Sequence, residues 1–193
     1  MKYFKINTFS KGHILTTTIS GSQDLFLITK GKVLIFVNNK YNPDYPYKFI
    51  VFSILEKGNT FNENASLFDI DSINGAMVLE DDTEILSLEK TNLIFVSSED
   101  SINSIKANAE CKNRFLKTFL EKIQSLKVEE LETQQKTLSQ KLGVEFETLM
   151  SLFKKNMKGD KILTTEGLVN EKRNLDKFNA IFPKQIDVQV KSF

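Results

Sequence analysis

The chain has 193 residues, a formal net charge of +1, 40% hydrophobic and 26% charged residues, which suits one compact domain or two small ones. A single cysteine, Cys111, excludes an internal disulfide and any multi-cysteine metal site, and a single histidine, His13, is too few for a barrel that holds metal with several. Neither a P-loop nor a G-x-G-x-x-G run is present, and no nucleophile–base signature appears, so no enzyme activity, metal or cofactor is expected.

Residues 1–10 contain Lys2 and Lys5 and no continuous apolar run, so no signal peptide is expected. Residues 25–28, 32–37, 49–55 and 84–88 are short, rich in β-branched and aromatic residues, and bounded by turn residues, so each reads as a strand. Gly12, Gly21, Gly31 and Gly58 fall between such runs, and residues 38–46 form a loop rich in Asn and Pro. Many short strands with regular turns imply a small barrel or roll. The longest apolar runs are far below a membrane span, and a cytoplasmic protein without membrane contact is expected.

From Ser101 the texture changes. With Ile102 at position a, the a/d series is Ile102, Ile105, Ala109, Lys112, Leu116, Phe119, Ile123, Leu126 and Glu130, of which seven of nine are apolar. A 3.5-residue period over about four heptads predicts a long helix with an apolar seam. The seam suits either a second copy of the chain or the helix's own roll. Homodimerisation through Ile105, Ala109, Leu116, Phe119, Ile123 and Leu126 is the preferred expectation, with Lys112 and Glu130 marking where the seam loosens.

Residues 137–155 then read as helix, tight turn at Gly143, helix. Residues 161–163 and 167–169 suit a small wing, and 184–193, with Ile186, Val188 and Val190 alternating, a last strand. Charge divides along the same line. Residues 1–100 hold 9 Lys and 13 acids, a balance of −4; residues 101–193 hold 17 bases and 12 acids, a balance of +5. A polyanion would therefore meet the back half.

The order β-roll, long helix, helix-turn-helix resembles the Crp/Fnr family of transcription regulators. The resemblance rests on Lys11-Gly12-His13-Ile14-Leu15, on Leu27-Ile28-Thr29-Lys30-Gly31-Lys32-Val33, and on Glu56-Lys57-Gly58-Asn59-Thr60-Phe61 leading into a segment like the family's phosphate-binding cassette. It implies an α+β chain: a jelly-roll-like, cyclic-nucleotide-binding-type β-roll over 1–100, a dimerisation helix over 101–132, and a helix-turn-helix or winged-helix-like region over 133–193. It also implies a ligand site at Asn62, Glu63, Asn64, Ala65, Ser66, Asn74, Gly75 and Ala76, with Glu63 in the place of the ribose-binding Glu. Asn62 stands where the family has a close-approach Gly, and Asn74 where it has a phosphate-binding Arg.

Between Lys57 and Lys90 there are eight acids and no base at all. A charge-assisted phosphate contact is worth about 1.5–3 kcal/mol. Its absence from that stretch argues against a cyclic mononucleotide as the effector. In the second half the resemblance implies DNA contacts from Phe146, Glu147, Thr148, Ser151, Lys154, Lys155, Lys158 and Lys161. The two positions where the family carries Arg hold Phe146 and Ser151, so readout of guanine edges is reduced while phosphate contact by Lys remains. The expected function is a homodimeric, DNA-binding transcription regulator that does not respond to cyclic nucleotide. The alternative is a β-roll sensing or protein-interaction module without DNA-binding activity.

Overall fold

The computed structural model describes residues 4–15, 23–39, 41–68, 74–89, 93 and 98–156. The strands are β1 (Phe4–Phe9), β2 (Ile14–Leu15), β3 (Leu25–Lys30), β4 (Lys32–Asn38), β5 (Phe49–Glu56), β6 (Thr60–Phe61), β7 (Asn74–Val78) and β8 (Thr83–Leu88). The helices are α1 (Glu63–Phe68), α2 (Glu99–Ser125), α3 (Val128–Lys141) and α4 (Phe146–Asn156). The architecture is α+β. One antiparallel sheet runs β1-β8-β3-β6 and the other β2-β7-β4-β5, and together they make a β-roll. The reading of 161–163 and 167–169 as a wing, and of 184–193 as a strand, lies outside the described residues.

The period-2 alternation of the strands sorts the core into layers. Ile28, Val33, Ile35, Phe61, Ala76, Val78 and Ile85 fill the inside of the roll. The opposite parity, Leu34, Phe36, Phe49, Val51, Met77 and Leu79, meets Phe146, Leu149 and Met150 of α4. The β2-β7-β4-β5 sheet is thus buried on both faces, which is why β4 is apolar at nearly every position. Gly75 belongs to this packing: a Cβ there would come within 2.4 Å of the Phe36 ring. The pairing of β4 with β5 shifts between Ile35 and Phe36, and the bulge sets Phe52 against the α2 side chains Phe115 and Phe119.

The long helix differs from its sequence reading in two ways. It ends at Ser125, and Leu126 and Lys127 are extended before α3 begins. The Asn42 amide, from the loop between β4 and β5, donates to the carbonyls of Ile123 and Leu126 and so takes over the helix end. The backbone N–H of Lys127 donates to Glu130, opening the next helix. Glu130, read as the tail of the seam, is a first-turn acid of α3.

The second difference is what the seam meets. Ala109, Asn113, Leu116, Leu120 and Ile123 are the buried residues of α2. Leu116, Leu120 and Ile123 pack with Val37, Tyr45, Ile50 and Leu131, with Phe119 and Leu126 at the margin. Of the residues expected at a dimer seam, Ala109, Leu116 and Ile123 are therefore buried within one chain, and Phe119 and Leu126 are partly so. Ile105, half-buried near the start of α2, lies outside that cluster, as does the buried Ala109. A wide apolar stripe satisfies itself on the nearest sheet when the chain connection permits it.

Two features hold α3 and α4 to the sheet. Gln135 is fully buried, and its side-chain amide both donates to the Val51 carbonyl at 3.1 Å and accepts from the Val51 N–H at 2.8 Å. It pairs the free edge of β5 at Val51 as a residue of another strand would. At the end of α3, Gly143 takes φ +64, with Val144 N–H bonded to the Ser139 carbonyl and Gly143 N–H to that of Gln140. This pair of bonds is a Schellman ending, and it turns the chain back into α4.

Candidate functional site between the cassette and the long helix

The cassette segment begins at Asn62, whose φ is +67. Asn tolerates this left-handed conformation better than other residues with a Cβ, so it keeps the turn expected of a Gly. Its side chain donates to the Asp24 carbonyl at 2.8 Å. Helix α1 starts one residue later, with Glu63, Asn64, Ala65 and Ser66 all buried.

A cavity of about 80 Å³ lies between α1, β5, β7 and α2, and its polar lining includes Asn62, Glu63, Asn64, Asn74, Lys112 and Asn113. Four of the eight expected site residues therefore line it: Asn62, Glu63, Asn64 and Asn74. Ala65, Ser66, Gly75 and Ala76 do not. Ser66 bonds back to the Asn62 carbonyl, Gly75 lies against Phe36, and Ala76 faces the interior of the roll.

Lys112 lines this cavity, which its place in the sequence does not announce. The heptad period makes it a weak point of a helix seam. Its ammonium instead reaches into the cavity and meets Glu63 Oε1 at 2.6 Å and the Thr60 carbonyl at 2.7 Å. Thr60 Oγ1 donates to the same Glu63 oxygen at 2.6 Å. The Glu63 side chain is only 8% exposed, so its charge is met inside the protein. Beside this ion pair, the Asn64 and Asn113 side chains bond reciprocally at 3.0 and 2.7 Å. Two adjacent polar pairs thus join α1 to α2.

The acidic window is supplied with bases from elsewhere in the chain. Glu80 lies 3.7 Å from the Lys32 ammonium and Glu63 2.6 Å from that of Lys112, while Asp81 accepts from the backbone N–H of Lys11, an amide and not a charge. Among the described residues, the one cation lining the cavity comes from 49 residues beyond Glu63, a separation that no local motif reports. Pockets that hold drug-sized molecules run to about 300–1,000 Å³. The space left beside Lys112 is far below that, and the chemistry available there is a satisfied ion pair and an amide pair. Among the described residues, no group of three His, Cys, Asp or Glu side chains comes together as a metal site.

At the expected nucleic-acid surface, the structure corrects one residue. Phe146 is 6% exposed and stacks edge-on against Tyr47 at 5.2 Å, so it belongs to the core and not to an outward face. Helix amphipathicity explains this: Phe146, Leu149 and Met150 share the buried side. Glu147, Thr148 and Ser151 are exposed. Lys154 and Lys155 fall within α4, while Lys158 and Lys161 lie outside the described residues. A larger groove of about 350 Å³ separates α4 from the loop before β5, with Tyr47, Lys48, Glu147 and Ser151 among its walls. Burial, then the nearby Glu147 and Glu132, hold the Tyr47 phenol above its ordinary pKa.

No family model and no curated protein matches the sequence. Several solved structures are similar to it. The catabolite activator protein of Thermus thermophilus is 16% identical, with 91% of this chain and 92% of that one covered and a TM-score of 0.49. The regulatory subunit of a cAMP-independent protein kinase A from Trypanosoma brucei is 10% identical over 63% of this chain and 41% of that one, with a TM-score of 0.48. The regulatory domain of Toxoplasma gondii PKA, crystallised with cAMP, is 13% identical over 57% and 38%, with a TM-score of 0.44. The chain spans less than half the length of either kinase structure. Among the described residues, no helix is long and apolar enough to cross a membrane.

Proposed function

We propose that this chain is a Crp/Fnr-like homodimeric transcription regulator that contacts duplex DNA through its C-terminal region and does not respond to cyclic nucleotide. The observation that carries the reading is Lys112. The chain's own ammonium occupies the place beside Glu63 and joins the cassette to the long helix. A link that a bound effector would otherwise supply is then built into the fold.

The turn at Gly143 between α3 and α4, and the exposed Glu147, Thr148 and Ser151 on the outer side of α4, support DNA contact. So does the charge from residue 133 onward, 11 bases against 7 acids. Lys contributes phosphate contact without base readout, so binding is expected to be weakly sequence-selective and strongly salt-dependent. With the α2 stripe buried on its own roll, the dimer seam moves to the outer face of α2. There Phe115 is 68% exposed and approaches the half-buried Phe52 and Phe119 side chains beside it.

Fluorescence anisotropy on labelled duplex DNA tests this reading across a salt series, with and without cAMP. The expected result is affinity that falls steeply with salt and does not change with cAMP. Lys154→Gln with Lys155→Gln should weaken binding evenly across sequences. If the intact chain fails to bind at low salt, the reading is wrong and the β-roll interaction module takes its place.

A further inference from the structure

Among the described residues the two sheets present four edges, and three of them are short or covered. β2 and β6 are two residues long. The edge of β5 is closed at Val51 by the Gln135 amide. The fourth edge is β1, six residues long, without proline, and paired to β8 in an unbroken register from Phe4 opposite Leu88 to Phe9 opposite Thr83. Among the described residues, nothing pairs with its outer side. Long, regular edges are templates for another strand, and within Phe4–Phe9 only Lys5 carries a charge against it.

Among the described residues, this edge also carries two of the three exposed large hydrophobic side chains, Phe4 at 55% and Ile6 at 54%. Both lie on one face of the sheet, at the ends of apolar rungs. One rung runs Leu25, Leu88, Phe4, and the next Leu27, Leu86, Ile6. Each rung stops at the edge, where further apolar area would be buried if the sheet continued.

We propose that β1 is a self-association edge, at which a second copy of this chain adds its own β1 antiparallel to form a continuous eight-stranded sheet. The sequence Phe4-Lys5-Ile6-Asn7-Thr8-Phe9 is self-complementary about Ile6. In that register Ile6 faces the partner's Ile6, Phe4 faces the partner's Thr8, and Lys5 faces the partner's Asn7. The apolar rung then runs unbroken through both copies, and no like charges meet. Sliding the register to centre on Lys5 sets two ammonium groups opposite each other, which disfavours it. A symmetric contact of this kind pairs two copies and by itself closes; together with the α2 seam it links dimers into a tetramer or a longer assembly. The edge is remote in sequence from the α2 seam and independent of it.

Light scattering coupled to size exclusion, on the full chain over a concentration series, separates the two contacts. Ile6→Lys replaces an exposed side chain, so the fold should hold, while two charges meet at the centre of the strand pair. Phe115→Glu removes the α2 seam. The β1 contact predicts that the Phe115→Glu chain remains a dimer and that adding Ile6→Lys makes it monomeric, whereas Ile6→Val leaves it dimeric. A Phe115→Glu chain that is monomeric at every concentration overturns the β1 contact and leaves the α2 seam standing. Ile6→Lys that leaves every association step unchanged overturns it as well. Circular dichroism of each variant shows that the fold is retained.

Discussion

Two junctions hold helices against the roll, and they work by different physics. Where α1 meets α2 the contact is polar: Glu63 with Lys112, and Asn64 with Asn113, paired in a small cavity. Where α4 meets the outer face of the β2-β7-β4-β5 sheet the contact is apolar, with Phe146, Leu149 and Met150 laid on Leu34, Phe36, Phe49 and Met77. The apolar junction draws its strength from area, is tolerant of direction, and yields in proportion to the volume removed. The polar junction adds little net attraction, but each half strongly penalises loss of the other, because a buried charge is left unmet. The first kind positions a helix. The second fixes which residue faces which, and so decides what else can enter the space.

Variants can break that comparison. The largest effect is expected at the apolar junction. Leu149→Ala empties a fully buried site and should cost about 2–5 kcal/mol in denaturant unfolding, with the α4 amides losing hydrogen-exchange protection first. A loss below about 1 kcal/mol would mean that α4 rests on the sheet without being held by it.

Next is the polar junction. Lys112→Met should cost about 2 kcal/mol, less than a fully buried pair because the Lys side chain is 32% exposed. Adding Glu63→Gln to it should recover part of the loss, since the stranded carboxylate is then neutral. Strictly additive losses in this double-mutant cycle would show that the two groups do not act on one another. Smaller again, Gln135→Ala should cost about 1–2 kcal/mol, by orphaning the buried Val51 N–H and carbonyl. Hydrogen exchange at Val51 reads this directly, and an unchanged exchange rate would mean that water replaces the amide.

The same contrast explains what could be read from the sequence. Strands β3, β4, β5 and β8 announce themselves through β-branched runs between turn residues, and the turn at Gly143 through a glycine between two amphipathic segments. These are local signals, and local physics produces them. The apolar stripe on α2 was equally legible as a helix face, but periodicity does not say whether that face meets a second copy or its own sheet. The structure decides for the sheet.

The break at Leu126 carries no Pro or Gly. It depends on Asn42, 84 residues away, capping the helix end. Lys112 is the sharpest case. Within its heptad it is a flaw in an apolar seam. Only the fold, by bringing α1 beside α2, turns it into the counter-ion of Glu63. The acidic stretch from Gly58 to Glu89 looked uncompensated because its bases, Lys32 and Lys112, lie outside it. The inversion at Phe146, from outward reader to core residue, arises in the same way, since the sheet takes the apolar side of α4.

The proposed function depends most on Lys112, whose ammonium sits beside Glu63 where an effector would have to bind. Calorimetric titration of cAMP into the wild-type chain tests it most directly. No saturable heat is expected, because the ligand would have to displace a satisfied ion pair from a cavity of about 80 Å³. Saturable binding in the micromolar range would contradict the account.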